Sequence, residues 1–302
     1  MKKALLLSLL LPCCAYPMGG AAQWKSRISN VAYWALAAGP VWYDLAKEAK
    51  VRLKHSLLGE YVGDPAPEVV DFVRKIAESK GVNKDLEVKY ANGVSYGAHN
   101  MPDRIYLPVE WTQERVKVSQ GSYRQISCLE ARLKKCATDA PDKAAVDAEL
   151  DQDRFAIAHE CGHVINNDST KVILWSAVLP LPSHTAYRML CKVPRGSLAH
   201  IAAGAALGMA NWLTLRNITR SYEKRADLLE TDPKIIRGGI SFLQRAKDKL
   251  QQAIHKTFDE QWQRDLYAQY IEFIDVHPPL DERIAYLEEH IKEIEKIQSA
   301  KA

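Results

Sequence analysis

Phe155-Ala156-Ile157-Ala158-His159-Glu160-Cys161-Gly162-His163-Val164 is the stretch on which the reading of this chain turns. It is an apolar, helix-forming run that contains the pattern H-E-x-x-H. On an α-helix, positions four apart lie on one face, so His159 and His163 can aim their imidazoles at a single metal ion. Glu160 follows the first histidine directly and projects beside it. From there it can take a proton from a water activated by zinc and pass it to a leaving amine.

A zinc site that keeps one position open needs a third protein ligand. The candidate is Glu223, in Ser221-Tyr222-Glu223-Lys224-Arg225-Ala226-Asp227. Asp227 lies four residues on, on the same helix face, where it can accept a hydrogen bond from a ligating imidazole and orient it. Taken alone, a Glu and an Asp at this spacing read as a solvated helix face; the first motif changes that weighting. A third cluster is His277-Pro278-Pro279-Leu280-Asp281-Glu282-Arg283. Its two prolines stop one helix before the next begins. His277 or Arg283 could then stand near the developing oxyanion of a substrate carbonyl.

Working outward, Val69, Val70, Phe72, Val73 and Ile76 recur at helical spacing and predict a helix over about 67–80, ended by Gly81. Residues 86–90 and 104–108 alternate as two strands, with Gly93, Gly97 and Asn100 in the turns between them. Residues 111–150 are polar and predicted to be helical in part. Long helices are predicted near 154–167, 197–229, 233–274 and 279–298. The fold class is α+β and mostly helical, with a small sheet beside the H-E-x-x-H helix.

The first 22 residues read as a secretory signal: Lys2 and Lys3, then the short apolar run Ala4 to Leu11, then small residues up to Ala22. Residues 23–63 read as an N-terminal helical segment and 64–302 as one further domain. The expected location is therefore exported and periplasmic. Membrane association and lipid attachment at Cys13 or Cys14 are the alternatives. In an exported chain Cys128 and Cys136 could close a small disulfide loop, while Cys161 reads as a small packed residue.

With 302 residues, 47% hydrophobic, 26% charged and a net charge of +4, the composition excludes a disordered chain and offers no basic stripe for nucleic acid. There is no Gly-rich phosphate loop, nucleophile elbow or dinucleotide fingerprint.

The order H-E-x-x-H, then E-x-x-A-D, then H-P-P-L-x-x-R resembles the HtpX-like and CAAX-prenyl-protease family of zinc metallopeptidases. His163-Val164-Ile165-Asn166-Asn167-Asp168 also resembles that family's continuation of the motif. The resemblance spans about residues 67–290 and is weakest at 107–150 and 170–215. It implies a zincin-type domain with one Zn2+ per chain, ligands His159, His163 and Glu223, catalytic Glu160, a supporting Asp227, and His277 and Arg283 at the rim. It also implies a sheet edge near 86–108 that holds an extended protein or peptide substrate, and a role in envelope protein quality control. Members of the membrane branch carry spanning helices; here the apolar stretches within 171–215 read equally as buried helices, and the non-spanning reading is favoured. The rival function is a protease-like holdase or assembly factor with little turnover.

Overall fold

The structure is a computed structural model and describes residues 64–82, 85–91, 97–100, 103–108, 111–119, 122–138, 142–190 and 197–301. The predicted signal over 1–22 and the predicted helical segment over 23–63 lie outside the described residues. Within the described span the chain falls into two compact units, one holding residues 174–215 and the other residues up to 173 and from 216 onward.

In the larger unit, helix α1 (Pro67–Ser79) leads into a three-stranded sheet of β1 (Glu87–Ala91), β2 (Gly97–Asn100) and β3 (Asp103–Pro108). β3 is central; β1 runs parallel to it and β2 antiparallel. The register pairs Val88 with Ile105 and Tyr90 with Leu107, and all four are buried. The alternate pair Glu87 and Arg104 faces the other way and forms a cross-strand ion pair. A hairpin of β4 (Trp111–Ser119) and β5 (Ser122–Ser127) follows.

Ser127 then caps α2 (Cys128–Cys136), its Oγ accepting from the Glu130 N–H at 3.1 Å. The central helix α3 (Lys143–Asn166) carries the H-E-x-x-H motif. Its Leu150, Ile157, Cys161 and Val164 pack with α1, β1, β3 and α2. Phe155, on the opposite side, packs with α7 (Pro233–Thr257) and α9 (Leu280–Lys301). Apolar contacts on both sides explain why this helix is hydrophobic nearly all round. A Cβ at Gly239 of α7 would stand 2.4 Å from the Phe155 ring, so only glycine lets these two helices close. Helices α4 (Asp168–Val178), α5 (Pro180–Leu190), α6 (Ser197–Asp227) and α8 (Gln261–Ile274) complete the described elements.

The mostly helical α+β class stands, and four local readings are corrected. Gly97–Asn100 is an edge strand rather than a turn, because pairing with β3 decides it where intrinsic propensity is silent. Residues 111–127 form a hairpin rather than partial helix; Val116 and Val118 alternate there, a period-two signal diluted by charged neighbours. The predicted 233–274 helix breaks at Phe258, whose backbone is extended, although no Gly or Pro marks the spot. No disulfide joins Cys128 to Cys136. They sit at opposite ends of a nine-residue helix, so their Cα atoms are about 12 Å apart, beyond the reach of a bridge. The Cys136 thiol donates to Asp147 at 3.1 Å instead.

Candidate metal centre

His159 and His163 lie one turn apart on α3, and their Nε2 atoms approach to 3.1 Å. Glu223, near the C-terminal end of α6, completes the cluster. Its Oε2 is 3.3 Å from Nε2 of His159, and its Oε1 is 3.4 Å from Nε2 of His163. One ligand atom from each of the three residues lies within 4.8 Å of the others. The two helices meet here because both are small at the crossing. A Cβ at Gly162 would stand 2.8 Å from the Cα of Ala226, so the residues beside His163 and Asp227 set how close the ligands come.

Each imidazole is held from behind by a carboxylate. Nδ1 of His159 lies 2.8 Å from Oδ1 of Asp227, and Nδ1 of His163 lies 3.0 Å from Oδ2 of Asp168. A carboxylate at Nδ1 keeps the ring proton there and leaves the Nε2 lone pair facing the centre. Asp227 is anchored in turn by Arg283, which donates from Nε at 2.8 Å and from Nη2 at 2.6 Å, and by the Tyr286 hydroxyl. Asp168 accepts from Arg225. The chain delivers Asp168 to this position through Asn167, which takes a left-handed conformation (φ 53°) at the end of α3.

The charges follow from these neighbours. Burial opposes ionisation of Asp227, but His159 and Arg283 outweigh it and lower its pKa to about 2. Burial likewise opposes charge on Glu223, and the two imidazoles hold its carboxyl well below the ordinary range. Burial works against protonating the histidine pair, yet the surrounding carboxylates raise the affinity of both rings for positive charge. Two imidazolium rings would point N–H at N–H across 3.1 Å. A single cation serving both nitrogens relieves that conflict. Glu223 Oε2 is buried and accepts no hydrogen bond, which in a polar pocket is the mark of an acceptor meant for something else. Two neutral nitrogens and a carboxylate are a donor set suited to zinc, so the residues present fit the group.

Glu160 is buried beside His159, and burial pushes its carboxyl up. His277 lies in the turn between α8 and α9, half exposed, with Nε2 3.7 Å from Glu223 Oε2 and Nδ1 2.8 Å from Asp275. Arg283 departs from the expected rim position. Its side chain is buried behind His159, where the charge of Asp227 captures both arms of the guanidinium.

The sequence matches the family model described as peptidase family M48 over residues 115–291. The chain belongs to this family. The matched span of this M48 peptidase holds both histidines, Glu223, Asp227, His277 and Arg283. No curated protein and no solved structure gave a match. M48 proteins are zinc metallopeptidases, and the cluster His159, His163 and Glu223 is the group among the described residues that could hold such an ion. Residue-by-residue reading of the M48 chain passed over Asp168, Arg225 and Tyr286. The available signals were an Asp just past the polar Asn166-Asn167 pair, and a Tyr three positions after Arg283 on the same helix face.

Proposed function

We propose that this chain is a zinc-dependent endopeptidase that hydrolyses peptide bonds of protein substrates, with one Zn2+ held by His159, His163 and Glu223. The observation that carries the reading is the convergence of two Nε2 atoms and a buried, unpartnered carboxylate oxygen, with Glu160 beside them. When bound, the ion supplies Lewis acidity toward the scissile carbonyl and the attacking water. Glu160 accepts the proton from that water. Its raised carboxyl pKa suits it to hold the proton and return it to the leaving amine nitrogen. His277 is kept cationic by Asp275 and donates toward the oxyanion of the tetrahedral intermediate. Arg283 and Asp227 are positioning residues that act through His159.

The outer edge of β2 has no partner strand among the described residues, and β2 packs against α3. That placement supports binding of an extended substrate along this edge. An exported, periplasmic location with residues 1–22 removed, and clients among misfolded envelope proteins, complete the proposal.

The test compares purified wild type with Glu160→Gln and Glu223→Ala. Glu160→Gln is expected to keep one equivalent of zinc and to lose about 10²–10⁴-fold in cleavage of unfolded casein. Glu223→Ala is expected to lose the metal. A fully loaded wild type that cleaves no unfolded protein would overturn the reading in favour of a holdase.

A further inference from the structure

Between Asp168 and Glu223 the chain runs for 54 residues, Ser169 to Tyr222, with no Asp or Glu at all. An average stretch of that length in this protein, which has 37 acidic residues in 302, would hold six or seven. The same stretch carries Lys171, Arg188, Lys192, Arg195, Arg216 and Arg220.

The helices built from it have their polarity reversed. On α4, Ser176 is buried while Leu174 is 60% exposed and Trp175 39%. On α5 and α6, Met189 is 64% exposed and Met209 47%, and Leu181 and Leu213 are exposed with them. The interior of the α5–α6 pair is made of small and polar groups. The Ser183 hydroxyl donates to the side-chain oxygen of Asn211 at 2.8 Å. Buried Tyr187 lies against Gly204, its ring 3.5 Å from where a Cβ would stand. Gly208 is buried one turn further along α6. Small residues inside, a polar pair as glue and large apolar side chains outside make the packing rule of helices whose surroundings are not water. No helix among the described residues is long and apolar enough to cross a membrane.

We infer that this acid-free helical unit lies on the surface of an anionic phospholipid bilayer. Leu174, Trp175, Leu181, Met189 and Met209 enter the interfacial zone, and the basic residues meet the lipid headgroups. Apolar burial supplies the attraction for any bilayer, and the absence of every carboxylate makes the attraction strongest for a negatively charged one. The inference does not depend on the peptidase reading, since no residue of the metal cluster enters it.

Flotation of the purified full chain with vesicles tests it. The chain is expected to float with phosphatidylethanolamine–phosphatidylglycerol vesicles, to float weakly with phosphatidylcholine alone, and to be released by alkaline carbonate. Leu174→Ser/Met189→Ser should lower the partition coefficient at least about tenfold, with an unchanged circular-dichroism melt and unchanged casein cleavage. Arg188→Ala, an exposed change with little reach into the fold, should lower it about fivefold on the anionic vesicles alone. Four outcomes overturn the inference: no flotation on either vesicle, equal flotation on both, resistance to carbonate extraction, or self-association that the double variant abolishes without any lipid binding.

Discussion

Asp168 and Asp227 do for the two imidazoles what a lone H-E-x-x-H helix cannot do: they settle which ring nitrogen carries the proton. With Nδ1 of His163 3.0 Å from Asp168, Asp168→Ala removes the group that turns the Nε2 lone pair toward the centre. Zinc affinity should fall about 10–100-fold, measured by competition with a chelator of known affinity, and Asp168→Asn should retain part of it. An unchanged affinity in Asp168→Ala would remove the residue from the site. Arg283 belongs to the same logic. Its side chain is 12% exposed and that of Asp227 is fully buried, so Arg283→Ala leaves a buried carboxylate short of its main partner. The expected cost is about 3–5 kcal/mol of folding stability by denaturant titration. A loss below about 1 kcal/mol would mean that water replaces the guanidinium.

At the scale of elements, the distance between α3 and α6 is set by Gly162 and Ala226. The nearest atom to an added Cβ at Gly162 is the Cα of Ala226, at 2.8 Å. Backbone cannot rotate out of the way as a side chain can. Gly162→Ala should therefore push the helices apart, costing about 1–3 kcal/mol and weakening zinc binding, because His163 and Glu223 ride on the two helices being separated. The double variant Gly162→Ala/Ala226→Gly should recover little, since the close contact is with Cα and not with the Ala226 methyl. Full recovery in urea melts and chelator competition would show that the crossing is looser than the structure has it.

For the whole molecule, the centre joins segments far apart in the chain: α3, the start of α4, the end of α6 and α9. An ion that binds only the folded arrangement stabilises it by mass action. At a thousandfold excess of zinc over its Kd the gain is about 4 kcal/mol. Scanning calorimetry should show a lower Tm after chelation, restored by adding back one equivalent. Glu223→Ala should be insensitive to both treatments. Identical melts for chelated and loaded wild type would place the ion, if bound, outside the folded core.

The chemistry was legible in the sequence because it is local. His159, Glu160 and His163 acquire their relation from helical periodicity alone, and the α1, β1 and β3 patterns announce themselves through spacings of 3.6 and 2. The E-x-x-A-D and H-P-P-L-x-x-R segments pointed to Glu223, Asp227 and His277 only by resemblance, since nothing within a helix specifies what faces it across a crossing. Tertiary structure alone decided the rest. Pairing with β3 made Gly97–Asn100 a strand. Helix geometry kept Cys128 and Cys136 apart. The buried charge of Asp227 drew Arg283 away from the rim, and a left-handed Asn167 turned Asp168 onto His163. A side chain's partner depends on which surfaces meet, and that is settled by the sum of many contacts distant in sequence rather than by the residues on either side of it.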